Sequence, residues 1–240
     1  MKKILAILLA LTMLLSFASC GSDTSNDKDN EKEKTTETDK KDNNEEDKED
    51  EEKPDSGDEN TNVKISRGKI NGNVYKNTFL NLTFTKPSDW NYATDEEIAA
   101  TMNIAVDFFK EEYAQGLEEA LEKNGSVYDM LAKTPDGSSN VIISYENLSK
   151  VGYDEVTAMD YAEILELQLT NMTTYDIDLE EPYEKTFLGE KYVIIDSAST
   201  VYGVTVYQRY YVRKVDKYMA AIIITSQSEK GLDDVEKMFS

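Results

Sequence analysis

From Gly21 to Asn62 the chain runs for 42 residues without one Ala, Val, Ile, Leu, Met, Phe, Tyr, Trp or Cys. Such a stretch has nothing to bury against the entropy of ordering it, so it is expected to be disordered. It holds 18 acidic and 7 basic residues, a net charge of −11, and self-repulsion extends it. Clusters such as Glu45-Glu46-Asp47 and Glu49-Asp50-Glu51-Glu52 lack the Asp-x-Asp-x-Asp-Gly register of a calcium loop. The reading is a plain tether. It divides the 240 residues into three parts, 1–19, 20–62 and 63–240.

The first part has Lys2 and Lys3, then an almost wholly apolar run from Ile4 to Leu15, then Ser16-Phe17-Ala18-Ser19 before the chain's one Cys. A charged start, a short apolar core and small residues before a cut form a secretory signal. The run is shorter than the ~20 residues a spanning helix needs. Ala18-Ser19-Cys20 resembles the lipobox of bacterial lipoproteins, with Phe17 where Leu is usual. The resemblance implies a lipidated Cys20 as the first mature residue, anchored by acyl chains on the extracytoplasmic face of the cell membrane. Two or more chains anchor stably where one does not.

The third part, 178 residues, is long enough for one real core. Its net charge is −13, from 30 acidic and 17 basic residues. With 48 Asp plus Glu against 26 Lys plus Arg overall, nucleic acid is an unfavourable partner. The absence of His excludes imidazole chemistry and His metal sites, and a single Cys excludes cysteine zinc and iron–sulfur sites. There is no Gly-rich phosphate loop and no Gly-x-Ser-x-Gly elbow. Glu111-Glu112, Glu118-Glu119 and Glu180-Glu181 read as solvated faces rather than glycosidase acids. No cofactor and no catalytic residue are expected.

Periodicity sets the elements. Val74-Tyr75, Leu80, Leu82 and Phe84 alternate as one strand, ended by Pro87 and Trp90. Thr94 and Glu97 form a capping box before a helix with Ile98, Met102, Ala105, Val106, Phe109 and Tyr113 on one face, running on toward Leu121 with a weak point at Gly116. Val127–Ala132 and Asn140–Asn147 are strands around the turn Thr134-Pro135-Asp136-Gly137. Thr157 and Asp160 start a second helix through Tyr161, Ile164, Leu165, Leu169 and Met172. An antiparallel meander follows, Tyr183–Leu188, Tyr192–Ala198, Val204–Arg213 and Tyr218–Thr225, and then a helix over Glu229–Phe239. Between Tyr218 and Thr225 both alternating sets are apolar, so this strand is central and covered on both faces. The expected fold class is α+β, a three-layer α/β/α sandwich around a central antiparallel sheet.

Gly72-Asn73-Val74-Tyr75-Lys76-Asn77, then Leu80-x-Leu82-x-Phe84-x-x-Pro87-x-x-Trp90 and the acidic start Thr94-Asp95-Glu96-Glu97 resemble the opening of PsbP-like domains in clostridial-type lipoproteins. The resemblance covers most of residues 70–239 and includes the later order of elements. It implies a PsbP-like fold. Its members include a photosystem-associated subunit, a nuclear-transport factor that binds a small GTPase, and bacterial envelope lipoproteins. Their common theme is binding another protein, with no shared catalytic residues.

Candidate contact residues follow from residue type. On Val204–Arg213 one face carries Tyr207, Arg209, Tyr211 and Arg213, a Tyr/Arg stripe in an acidic domain. Tyr and Arg are enriched in binding hot spots, and Tyr rings also stack on sugars. The alternative is a helix lying over the stripe with the Arg heads paired to Asp or Glu. Trp90, the only Trp, is either an exposed anchor or a corner residue packed over the first strand. The expectation is a membrane-anchored envelope lipoprotein acting as a non-enzymatic protein-binding or adaptor module, with an envelope protein as partner. The alternative is a small-ligand or glycan binder.

Overall fold

The computed structural model describes residues 64–240 apart from 103, 105–115, 172–175 and 202. The signal segment, Cys20 and the acidic tether lie outside the described residues. So does the middle of the first expected helix, with Ala105, Val106, Phe109 and Tyr113, and so does Met172.

The chain opens with β1 (Lys69–Asn71), β2 (Val74–Asn77) and β3 (Leu82–Thr85), which form a separate three-stranded antiparallel sheet. The expected single strand from Val74 to Phe84 is therefore two strands. Asn77 Oδ1 accepts the Leu80 amide at 2.8 Å and Asn81 takes a left-handed φ of 51°, so the backbone reverses where the alternation continues.

Next come β4 (Asn91–Tyr92), α1 (Asp95–Thr101) and α2 (Leu117–Asn124). Thr94 caps α1 with the reciprocal Glu97 bond, as the sequence predicts. The described part of α2 starts directly after Gly116. Then β5 (Ser126–Lys133), β6 (Asn140–Asn147), the short α3 (Leu148–Val151) and α4 (Ala158–Thr170) follow, with the Thr157–Asp160 capping box in place. The last third holds β7 (Asp176–Leu179), β8 (Tyr183–Phe187), β9 (Glu190–Val201), β10 (Val204–Val215), β11 (Tyr218–Ser226) and α5 (Glu229–Glu236).

The central sheet runs β4-β5-β6-β11-β10-β9-β7, with β8 also on β9, and every pairing is antiparallel. β11 lies in its middle and is buried at all 9 residues, which is why both of its alternating sets are apolar. β7 and β8 share the outer edge of β9 and are separated by Glu180-Glu181-Pro182. Proline has no N–H to give a ladder, so the edge is interrupted there.

Register assigns the faces. Arg209, Tyr211 and Arg213 of β10 share one face with Ile224, Ile222 and Ala220 of β11, and Arg209 and Tyr211 with Asp196 and Ile194 of β9. Gln208, Tyr210 and Val212 lie on the other. That second face is covered by α4, whose Tyr161 hydroxyl donates to Glu146 at 2.8 Å and whose Ala162, Leu165 and Leu169 are buried. The first face is covered by α5 together with the small sheet, through Phe79 against Tyr145 and Tyr218 and through Phe187 against Tyr211 and Phe239. The fold is thus α+β around a large antiparallel sheet covered on both faces, as expected. One cover layer mixes a helix with β-strands.

Past α5 the chain does not stay helical to Phe239. Phe84 and Phe239 form a β-bridge, Thr83 donates to the Ser240 carbonyl at 2.7 Å, and Ser240 donates back at 2.9 Å. The apolar Met238 and Phe239 continue the helical spacing in sequence, but Phe239 is needed in the aromatic cluster with Phe84 and Phe187.

Candidate functional site

The Tyr/Arg stripe is split by its neighbours. Tyr211 is fully buried, and its hydroxyl donates to Glu236 Oε2 at 2.6 Å. Burial, then this bond, pushes the Tyr211 phenol far above its ordinary range. Arg209 is clamped by Asp196 at 2.6 Å from its own sheet and by Asp233 and Glu236 at 3.0 Å from α5. Burial alone would weaken its charge, but Asp196 and Asp233 hold the guanidinium protonated. Burial likewise works to raise Glu236, while Lys185 at 2.5 Å, Tyr211 and Arg209 hold it below the usual carboxylate range. Arg213 reaches Glu190 at 3.3 Å and lies over the Tyr192 ring. A helix with paired Arg heads therefore covers the middle of the stripe.

Trp90 is also interior, 5% exposed and tilted against Phe84. Its carbonyl accepts the buried Lys86 ammonium at 2.6 Å, which also meets Asn73 Oδ1 at 3.1 Å. Three carbonyl oxygens around one cation fix the Pro87–Trp90 corner. Trp90 and Tyr211 are thus packing residues, and of the candidates only Tyr207 keeps an accessible flank free of such partners.

Tyr207 opens onto a groove of about 410 Å³ between the β7/β9/β10 end of the sheet and the start of α5. Its walls hold Asp178, Glu180, Tyr183, Asp196, Arg209 and, from α5, Glu229, Leu232 and Asp233. The groove has a local cause. Asp178, Ala198 and Tyr207 are register partners across β7, β9 and β10, so they stand in one row on one face. Ala198 contributes only a methyl group between two larger side chains, and the surface dips there. Beyond it the Arg209–Asp196 pair closes one end. The Tyr183 hydroxyl donates to Asp196 at 3.0 Å, and burial followed by that carboxylate pushes Tyr183 up to about 12.

Sequence reasoning found one wall of this groove, Tyr207 and Arg209, through the alternation on β10. It missed Asp178, Glu180, Tyr183, Asp196, Glu229 and Asp233. These come from four elements and the β7–β8 connection, and only strand register and the packing of α5 bring them together.

A second polar cluster also escaped the sequence. The register of β5 against β6 slips between Tyr128 and Met130, leaving Asp129 as the extra residue of a β-bulge. Its carboxylate is sealed from solvent and accepts from Tyr75 Oη at 2.5 Å, the Gly68 amide at 2.9 Å and Asn77 Nδ2 at 3.0 Å. A Cβ on Gly68 would stand 2.2 Å from the Tyr75 ring, so only glycine brings that amide to the acid. Burial raises the Asp129 carboxyl against these donors. The signal was a lone Asp in the apolar run Val127–Ala132. The cluster is buried between the small sheet and β5 and acts as a structural lock. Among the described residues, no group of three or more acids or Cys is arranged to hold a metal ion, and no helix is long and apolar enough to cross a membrane.

No protein-family model matches the chain, and no curated protein sequence matches it. Solved structures are similar in architecture. The solution structure of PsbP from the cyanobacterium Synechocystis matches with 13% identity and a TM-score of 0.42, over 75% of this chain and 95% of that one. A crystal structure from Bacteroides thetaiotaomicron matches with 13% identity and a TM-score of 0.34, over 73% of this chain and 48% of that one. LpqN, involved in cell envelope biogenesis of Mycobacterium tuberculosis, matches with 11% identity and a TM-score of 0.36, over 66% of this chain and 79% of that one.

Proposed function

We propose that the chain is a non-enzymatic binding module of the bacterial cell envelope, lipid-anchored at Cys20, held off the membrane by its acidic tether, and docking another envelope protein through the groove at Tyr207. The groove carries this reading. The rest of the Tyr/Arg stripe is spent on internal pairs, whereas here two tyrosines, Tyr207 and the 39% exposed Tyr183, border a concave surface. Partly exposed aromatic rings at a concavity are what a binding surface uses as anchors. The lipobox resemblance and the tether support the location.

The test is a photo-crosslinking residue at position 207 of the anchored protein in intact source cells, with mass spectrometry of what it captures. One reproducible envelope protein, lost when the crosslinker is moved to the buried position 211, is the expected result. Recovery of abundant background proteins alone would overturn the reading.

A second reading, a small-ligand or glycan binder, has one observation in its favour. The groove volume falls within the roughly 300–1,000 Å³ of small-molecule sites. A rise in the melting temperature of the full chain with added sugars, abolished by Tyr183→Ala, would move the assignment there.

A further inference from the structure

We infer that the groove receives an arginine or lysine side chain presented by the partner protein. This inference rests on the binding-module reading and names the chemistry of its partner. The residues divide into those already engaged and those left open. Arg209, the one cation of the groove wall, is consumed by Asp196, Asp233 and Glu236. Asp178, Glu180 and Glu229 have no ion-pair or side-chain hydrogen-bond partner among the described residues, yet all three border the same concavity. Three unneutralised carboxylates around one space disfavour an anion and attract a cation.

Shape and aromatic content refine the choice. The Ala198 dip and the buried Leu232 give a short apolar floor, on which the methylenes of a long basic side chain can lie while its head meets the carboxylates. The rings of Tyr183 and Tyr207 flank that path, and a guanidinium stacks on such faces better than an ammonium does. The site is a groove rather than a closed cavity, so the backbone bearing the side chain stays outside. The net charge of −13 on residues 63–240 draws a basic surface toward it before contact.

The experiment titrates the full chain by calorimetry with a short Gly/Ser peptide carrying arginines. The same peptide with citrulline keeps the shape and removes the charge. The expected result is binding by the arginine peptide and at least about tenfold weaker binding by the citrulline peptide. Ala198→Phe, which fills the dip without altering a charge, weakens the arginine peptide by a similar factor, and so does Asp178→Asn with Glu229→Gln. Glu184→Gln, an exposed acid of β8 whose register partner Val193 lies on the opposite face, leaves it unchanged. Melting temperatures confirm that each variant folds.

Equal binding of both peptides, or equal weakening by Glu184→Gln, would overturn the inference. Binding of free spermine as tight as that of the arginine peptide would overturn the commitment to a protein side chain. If the peptides fail while crosslinking at position 207 still captures one envelope protein, the inference falls and the binding-module reading stands. If both fail, both fall.

Discussion

Tyr75 Oη lies 2.5 Å from Asp129 Oδ2, and neither residue is reached by solvent. This bond joins the small sheet to the bulge of β5, so it ties one cover layer to the central sheet. Asp129→Ala takes the acceptor from the buried Tyr75 hydroxyl and the half-buried Gly68 amide and the ion partner from Arg67, while Asn77 Nδ2 keeps the Tyr75 and Tyr145 oxygens at 2.8 Å. At about 1–3 kcal/mol per stranded donor, and with incomplete additivity, the expected loss is about 3 kcal/mol. Urea unfolding measures it. A loss below about 1 kcal/mol would show that the cluster is dispensable.

Glu146 predicts a pH dependence. It is 4% exposed, and burial pushes its carboxyl from 4.5 to about 7 in spite of the Tyr161 hydrogen bond. The unfolded chain ionises near 4.5 and the folded one only near 7, so unfolding releases a proton between these values. Stability therefore falls as pH rises through this window and levels off above it. The total is roughly 3 kcal/mol. Glu146→Gln, neutral at every pH, should lose that slope. Asp129 acts in the same direction, so the difference between wild type and variant is the quantity to follow. Parallel curves for the two would rule the assignment out.

Tyr207 and Tyr211 should separate cleanly. Both stand on the same face of β10, but Tyr211 is fully buried against Phe187 and Tyr192, while Tyr207 is half-buried at the groove. Tyr211→Ala is expected to cost about 3–5 kcal/mol, the range for large buried aromatics. Tyr207→Ala is expected to cost under about 1 kcal/mol and to remove partner capture. Denaturation and crosslinking on the same two variants decide the point.

Cys20→Ser should abolish incorporation of labelled palmitate and move the protein from the membrane fraction to the soluble one. Detergent phase partitioning shows the shift. Unchanged palmitate incorporation would contradict the lipid anchor.

Much of the fold was legible because burial on both faces leaves a direct mark on sequence. Tyr218–Thr225 reads as central because both of its alternating sets are apolar, and the strand there, β11, is the middle of the sheet. The capping boxes at Thr94 and Thr157 were readable because they are local reciprocal bonds. What stayed hidden depended on distant pairing. The turn between β2 and β3 keeps the alternation of a single strand. The bulge at Asp129 inserts one residue without changing the composition around it. The groove needs a small residue at Ala198 only because Asp178 and Tyr207 flank it in register, and nothing near Ala198 in sequence announces that.

The interrupted edge formed by β7 and β8 bears on how copies of this protein tolerate one another. Asp176, Asp178, Glu180, Glu181 and Glu184 stud it, and Pro182 breaks it near its middle. An open strand with a free row of amides is a template for edge-to-edge stacking. Here two molecules approaching along that side meet mutual repulsion and a gap in the ladder. Crowding then favours dispersal over polymerisation, and added salt, which screens the acids, leaves the gap at Pro182 in place.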